Sequence, residues 1–276
     1  MKNLIYIIAS LIIFSSCEET IILDTDQGEQ KTIIEAVVTN LSDRQYVRLT
    51  TTADFYSEVE NPTIGNAEVS VTDGHGTVHY YSESDERPGY YYPDVDYEGE
   101  VNVEYSLNIN VDGEVFTASD ILLPVTSIDS LTVRLDVDEM DDPEVEGMFY
   151  SPLLYAKEPQ DEENYYLWKF YRNGEIYNDH GDYVTMSNDV AIGEYIDGIE
   201  VPFYYAEGDV ARIEMISLTR DCFVFYSDFT NLVFSDGGIF TPQPANPRSN
   251  ITGGALGVFQ VSSISVDEIV IEISEQ

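Results

Sequence analysis

The sequence predicts a mainly β protein: an antiparallel sandwich followed by a second, mostly β domain with one helix. Three observations carry that expectation. Apolar and polar residues alternate over short runs, glycine-containing dipeptides of hairpin type separate those runs, and a single segment changes to helical spacing. At 276 residues the chain exceeds the usual single-domain size, so two domains are the natural division. Its 43% hydrophobic content, 12% aromatic, supplies enough apolar surface to offset chain entropy despite a net charge of −40.

In chain order, residues 1–16 form a signal peptide. Lys2 gives a positive start, residues 4–14 are an apolar run, and Ser15 and Ser16 lead into Cys17. A run that short cannot cross a hydrocarbon core of about 30 Å, which needs about 20 helical residues. The segment Phe14-Ser15-Ser16-Cys17 resembles the lipobox of bacterial lipoproteins, with Phe14 where leucine is commoner. That resemblance implies removal of the signal before Cys17 and acylation of the cysteine, palmitate among the chains. Several acyl chains anchor far more firmly than one, at about 0.8 kcal/mol per buried CH2. Glu18 and Glu19 are similar to the acidic export signals of surface lipoproteins in the Bacteroidota, which implies a lipid-anchored protein of the bacterial outer membrane that faces the cell exterior. Residues 17–30, polar after Ile21-Ile22-Leu23, suit a lipidated tether.

Residues 31–124 are the expected sandwich. Val103, Tyr105, Leu107, Ile109 and Val111 alternate with polar neighbours, as in a strand with one wet face. Similar runs occur at residues 33–39, 46–52, 67–72, 77–82 and 114–119, and Asp73-Gly74 and Asp112-Gly113 are hairpin turns. The order Asn66-Ala67-Glu68-Val69-Ser70-Val71-Thr72, Gly76, Pro88-Gly89-Tyr90-Tyr91 and Tyr105-Ser106-Leu107-Asn108-Ile109 resembles an Ig-like or carboxypeptidase-regulatory-like module. Tyr105 would be the corner tyrosine of such a sandwich.

Pro124 marks the boundary, because proline cannot pair within a central strand, and residues 125–276 form the second domain. An acidic loop is expected at residues 136–146. A hairpin at 165–177 turns at Asn173-Gly174, and strands follow at 183–186, 201–206 and 210–218. Cys222, Tyr226, Phe229 and Val233, widened by Phe225 and Leu232, fall at helical spacing and place a helix at residues 220–234. Pro242, Pro244 and Pro247 keep the next stretch extended, and strands at 257–262 and 266–273 close the domain.

The whole pattern resembles the DUF4249 family of Bacteroidota outer-membrane lipoproteins. The pieces that carry the resemblance are Ala36-Val37-Val38-Thr39 with Tyr46-Val47-Arg48-Leu49-Thr50, Tyr166-Leu167-Trp168, and Pro244-Ala245-Asn246-Pro247-Arg248-Ser249-Asn250-Ile251 leading into Gly254-Ala255-Leu256-Gly257. The family has no established activity. What the resemblance implies is context: a non-enzymatic accessory or substrate-presenting partner of a TonB-dependent β-barrel transporter, with no cofactor. Two other readings stand beside it. One is a free-standing glycan- or peptide-binding adhesion module of the cell surface. The other is a hydrolase using two carboxylates about 5 to 10 Å apart.

The candidate residues follow from composition. With 12 Lys and Arg against 52 Asp and Glu, the chain lacks the basic clusters that nucleic acid requires. The sequence contains no His-Glu-x-x-His, Gly-x-Ser-x-Gly or Gly-x-Gly-x-x-Gly, so no catalytic residue is assigned. Once Cys17 is acylated Cys222 has no disulfide partner, which suits a buried, inert thiol. The three histidines, His75, His79 and His180, do not suggest a metal site. Asp94, Asp96 and Glu98 before Gly99 resemble the opening of an EF-hand loop, but Tyr105 stands where the bidentate Glu belongs; Asp136, Asp138 and Asp141 form a second acidic cluster. These are calcium candidates at most. Among 21 tyrosines, Tyr90, Tyr91 and Tyr92 between Pro88 and Pro93 cannot all point inward, which predicts an exposed aromatic loop that contacts a ligand or partner.

Overall fold

A computed structural model describes residues 29–53, 60–141, 143, 145–157, 163–177, 183–187, 195–234 and 245–272. Cys17, the expected signal peptide and His180 lie outside the described residues.

The first part of the chain supplies β1 (Thr32–Thr39), β2 (Tyr46–Thr51), β3 (Glu68–Asp73), β4 (Val78–Glu83), β5 (Tyr90–Pro93), β6 (Glu104–Val111) and β7 (Glu114–Ile121). The second supplies β8 (Ile128–Leu135), the short helix α1 (Val137–Asp141), β9 (Met148–Lys157), β10 (Tyr165–Arg172), β11 (Glu175–Ile176), β12 (Val184–Ser187), β13 (Tyr195–Glu200), β14 (Tyr205–Ala206) and β15 (Val210–Leu218). Helix α2 (Arg220–Val233), β16 (Leu256–Ser262) and β17 (Ile264–Val270) complete it.

Eight strands form the first sheet in the order β16-β1-β2-β5-β4-β3-β6-β7. Period-two alternation turns Ile34, Ala36, Val47, Leu49, Tyr91, Leu107 and Ile109 onto one buried core. Residues 256–262, which the sequence reading drew into the second domain, lie here instead: β16 pairs in parallel with β1, and Phe259 and Val261 join the sandwich core. A parallel bridge from Leu123 to Ser262 brings the two edges of the sheet together. Gly257 permits this pairing. Its φ is +105°, and a Cβ there would sit 1.9 Å from the Ile34 carbonyl oxygen, so no side chain fits.

Two of the three expected turns use the expected chemistry, while the β3–β4 turn takes its positive φ at Gly76 rather than at Asp73-Gly74. Asn173-Gly174 and Asp112-Gly113 both have positive φ at each residue. Tyr105 is buried, and its hydroxyl accepts a hydrogen bond from the Glu100 backbone N–H at 2.8 Å, the contact of a tyrosine corner.

Two smaller sheets build the second part. One runs β11-β10-β15-β17 with β12 also on β10, and the other runs β13-β9-β14 with β8 also on β9. Trp168, Phe170, Ile213 and Met215 face Leu154 and Tyr205 in their shared core. The opposite face of β10 and β15, through Tyr165, Leu167, Ile216 and Leu218, packs on Cys222, Phe225 and Tyr226 of α2 and on Val258 of β16. Helix α2 is therefore wedged between the sandwich and the second sheet.

Several local expectations change. The expected aromatic loop at Tyr90, Tyr91 and Tyr92 is strand β5, because β2 pairs with Tyr90 and Tyr91 and β4 with Tyr91, Tyr92 and Pro93. Only Tyr205–Ala206 of the 201–206 segment is strand, while Tyr195–Glu200 pairs with β9. The acidic loop contains α1, whose first turn is capped by Asp136: its Oδ1 accepts the N–H groups of Asp138 and Glu139 at 3.0 and 3.1 Å. Asp136 with Glu139 three residues on is a capping-box spacing, the signal that announces this helix.

Candidate functional site

The outer face of the sandwich beside α2 carries the most developed site. Strand register sets Glu35 opposite Arg48 and Arg48 opposite Tyr90, so three polar side chains form a row across β1, β2 and β5. Their neighbours Ile34, Val47 and Tyr91 point into the core, and alternation sends this row outward. Tyr46, two residues before Arg48, shares the face and donates its hydroxyl proton to Glu35. Burial, then the Glu35 charge, pushes that phenol well above its ordinary range and keeps it a donor.

Helix α2 and the residue preceding β12 supply the opposite wall. Tyr183 lies 4.8 Å from the Tyr226 ring and edge-on to Phe229 at 5.5 Å, with Phe225 completing the group. Between this aromatic wall and the Glu35–Arg48 floor is a cavity of about 300 Å³. The floor is not internally saturated. Arg48 Nη1 is 3.9 Å from Glu35 Oε2, beyond hydrogen-bonding length, and Arg48 Nε is buried without a hydrogen-bond partner among the described residues. The guanidinium also lies 5.4 Å from the centre of the Tyr90 ring.

A second charged group lies nearby, on β10 and β15. Glu214, only 1% exposed, accepts Arg44 Nη2 at 3.1 Å and the Tyr171 hydroxyl at 3.0 Å, and pairs with Arg212 as well. Arg44 comes from the β1–β2 connection, so this cluster ties the sandwich to the second sheet. Lys169 stands opposite Glu214 in register; burial lowers its ammonium pKa, while Glu214 and then Glu35 pull it back up.

Buried Asp120 is held at the far edge of the sandwich. Its Oδ2 accepts the Val261 N–H at 2.8 Å and the Cys222 thiol at 3.3 Å, joining β7, β16 and α2. Burial raises its pKa to about 6 and also pushes the Cys222 thiol well up, leaving that sulfur unreactive.

The other residues singled out from the sequence fall as follows. Tyr91 is 1% exposed, and its hydroxyl donates to the Ile64 carbonyl at 3.0 Å. Tyr90 and Tyr92 point outward but stack on each other at 6.3 Å, with Arg87 3.8 Å above the Tyr90 ring and bonded to the Tyr92 hydroxyl at 2.8 Å. Asp94 accepts Ser82 Oγ at 2.6 Å, and Asp136 is spent on its helix cap, so neither acidic cluster converges. Among the described residues no group of three His, Cys, Asp or Glu side chains is placed to hold a metal ion. His75 pairs with Glu100 at 3.2 Å, and His79 stacks on Tyr97 at 3.6 Å. Sequence reasoning did not single out Glu35, Arg48 or Tyr183. The signal available was an Arg and a Glu on the wet faces of adjacent predicted strands, which only the register brings opposite each other.

The string at residues 245–251, part of what carries the family resemblance, makes structural contacts. Arg248 makes a two-pronged pair with Asp228 of α2 at 2.7 and 2.8 Å, and Asn250 exchanges two hydrogen bonds with the Phe259 backbone. These contacts fix α2 over β16 and so set the cavity wall.

A family model described as a domain of unknown function, DUF4249, matches residues 18–268. No curated protein matches the chain. Among solved structures, that of a DUF4785 family protein from Legionella pneumophila is similar over 68% of this chain, at 7% identity and a TM-score of 0.24. The chain spans 51% of that protein's length, and a likeness so slight carries no argument.

Proposed function

The chain belongs to the DUF4249 family, and from that premise we propose that it is a non-enzymatic, lipid-anchored lipoprotein of the outer-membrane surface that holds a small ligand for a TonB-dependent transporter. The observation that carries the reading is the cavity between α2 and the sandwich, where an aromatic wall faces two charged groups that do not satisfy each other. Small-molecule sites have this composition, apolar walls with a few converging polar groups. The anchor is Cys17 after the signal peptide, and the polar tether of residues 17–30 gives the folded part reach. A net charge of −40 favours standing off an anionic membrane surface.

The test is purification of the tagged lipoprotein from native outer membranes in mild detergent, with co-purifying proteins identified by mass spectrometry. The expected result is a stoichiometric β-barrel transporter, and loss of membrane association on Cys17→Ala. Recovery of the lipoprotein alone from otherwise intact complexes would overturn the partnership.

One observation favours the adhesion reading as a second. Tyr80, Ser70, Asn108 and Thr117 pair in one row across β4, β3, β6 and β7, an uncharged strip on a highly acidic protein, and Tyr80 is 64% exposed. A glycan-binding screen with Tyr80→Ala as control separates the two readings.

A further inference from the structure

The cavity floor indicates what the ligand carries. Glu35 and Arg48 lie side by side with opposite charges, yet at 3.9 Å each keeps hydrogen-bonding capacity that the other does not use. Glu35 Oε1 takes the Tyr46 hydroxyl, and Oε2 faces the distant guanidinium, with the Lys169 ammonium also in its field; among the described residues the Arg48 side chain makes no hydrogen bond, so its fork is free to turn onto an acceptor. A lone anion would meet Glu35, and a lone cation would meet Arg48. A group with both charges, set antiparallel to the protein pair, satisfies both at once.

The spacing narrows this further. The two protein charges are 3.9 Å apart, so the complementary charges must lie close together on the ligand, as the ammonium and carboxylate on the one α-carbon of a free amino acid do. In a peptide the termini are at least one residue further apart, about 3.8 Å between α-carbons. A volume of about 300 Å³ has room for one amino acid. Tyr183, Phe225 and Phe229 then offer an apolar, aromatic surface to its side chain.

We propose that this cavity binds a free α-amino acid with an apolar or aromatic side chain, its ammonium on Glu35 and its carboxylate on Arg48. The proposal rests on the reading of the cavity as a ligand site and names the ligand class.

Calorimetry on the full-length chain in mild detergent tests it with L-phenylalanine, L-leucine, phenylalanylphenylalanine, 3-phenylpropionate, phenethylamine and glucose. L-phenylalanine is expected to bind, and the two analogues that each lack one charge are expected to bind at least tenfold more weakly. Glu35→Gln and Arg48→Gln should each reduce L-phenylalanine binding at least tenfold without lowering the melting temperature. The analogue series needs no variant, so a misfolded mutant cannot mask the answer. Equal binding of phenylpropionate and L-phenylalanine would overturn the amino-acid assignment, as would binding of the dipeptide or glucose in place of the amino acids; both results leave the cavity a ligand site. Heat from none of the six probes would overturn both the assignment and the reading beneath it.

Discussion

Two acid–arginine groups lie between the sandwich and the second sheet, and they differ in one respect. Glu214 is almost fully buried and takes three donors, from Arg44, Arg212 and Tyr171. Glu35 and Arg48 are partly exposed and stand too far apart to hydrogen-bond. A buried charge must be saturated by its own protein, or it costs several kcal/mol. A partly exposed pair on the floor of an open cavity is hydrated at little cost and keeps its valences for something else. Glu214 therefore reads as structure and the Glu35–Arg48 pair as recognition.

The largest test of that contrast is Glu214→Ala. It leaves two guanidiniums facing each other beside Lys169 and is expected to cost about 3–5 kcal/mol in urea unfolding. A loss below about 1 kcal/mol would place Glu214 with the exposed pairs.

Asp120 extends the comparison to a buried carboxylate with hydrogen bonds but no cation. Its folded pKa, about 6, lies above the unfolded value of about 3.9, so the folded state binds the extra proton between those two values. The cost of burying the charge is present in full above pH 6, shrinks as pH falls, and is gone near pH 4, about 2–3 kcal/mol in all. Wild-type protein should therefore gain stability relative to Asp120→Asn when melting is followed from pH 7 to pH 4. Parallel curves would show that Asp120 is not desolvated.

Smaller effects belong to the surface. Arg87→Ala removes the guanidinium from above Tyr90 and from the Tyr92 hydroxyl, and about 0.5–1 kcal/mol should be lost by thermal melting. Arg48→Gln is expected to change stability by less than about 0.5 kcal/mol. A clear destabilisation there would merge the two acid–arginine groups into one class.

The alternation of Glu68–Asp73, Glu104–Val111 and Glu114–Ile121 and the helical stripe from Cys222 to Val233 were legible because each is a local pattern of one element. What escaped depends on pairing across distance. Tyr90, Tyr91 and Tyr92 look like a loop because prolines flank them, but the unfilled edges of β2 and β4 recruit them as a strand and bury the middle ring. Residues 256–262 look like part of a C-terminal domain, and only the absence of a side chain at Gly257 lets them lie against β1. The cavity escaped for the same reason. Its floor is a register between β1 and β2, and its wall is a helix about 170 residues away, placed by Arg248 and Asp228.

The parallel pairing of β16 with β1 also bears on how the protein is made. A chain synthesised from its N-terminus presents β1 to solvent long before β16 arrives, and until then the outer edge of β1 has open backbone donors and acceptors. Exposed edges of that kind recruit other chains, and contacts so distant in sequence form slowly. Completion of the sandwich is thus timed by a strand that follows every other strand of its sheet in sequence. A chain halted anywhere before residue 256 would carry a sticky edge rather than a finished sandwich.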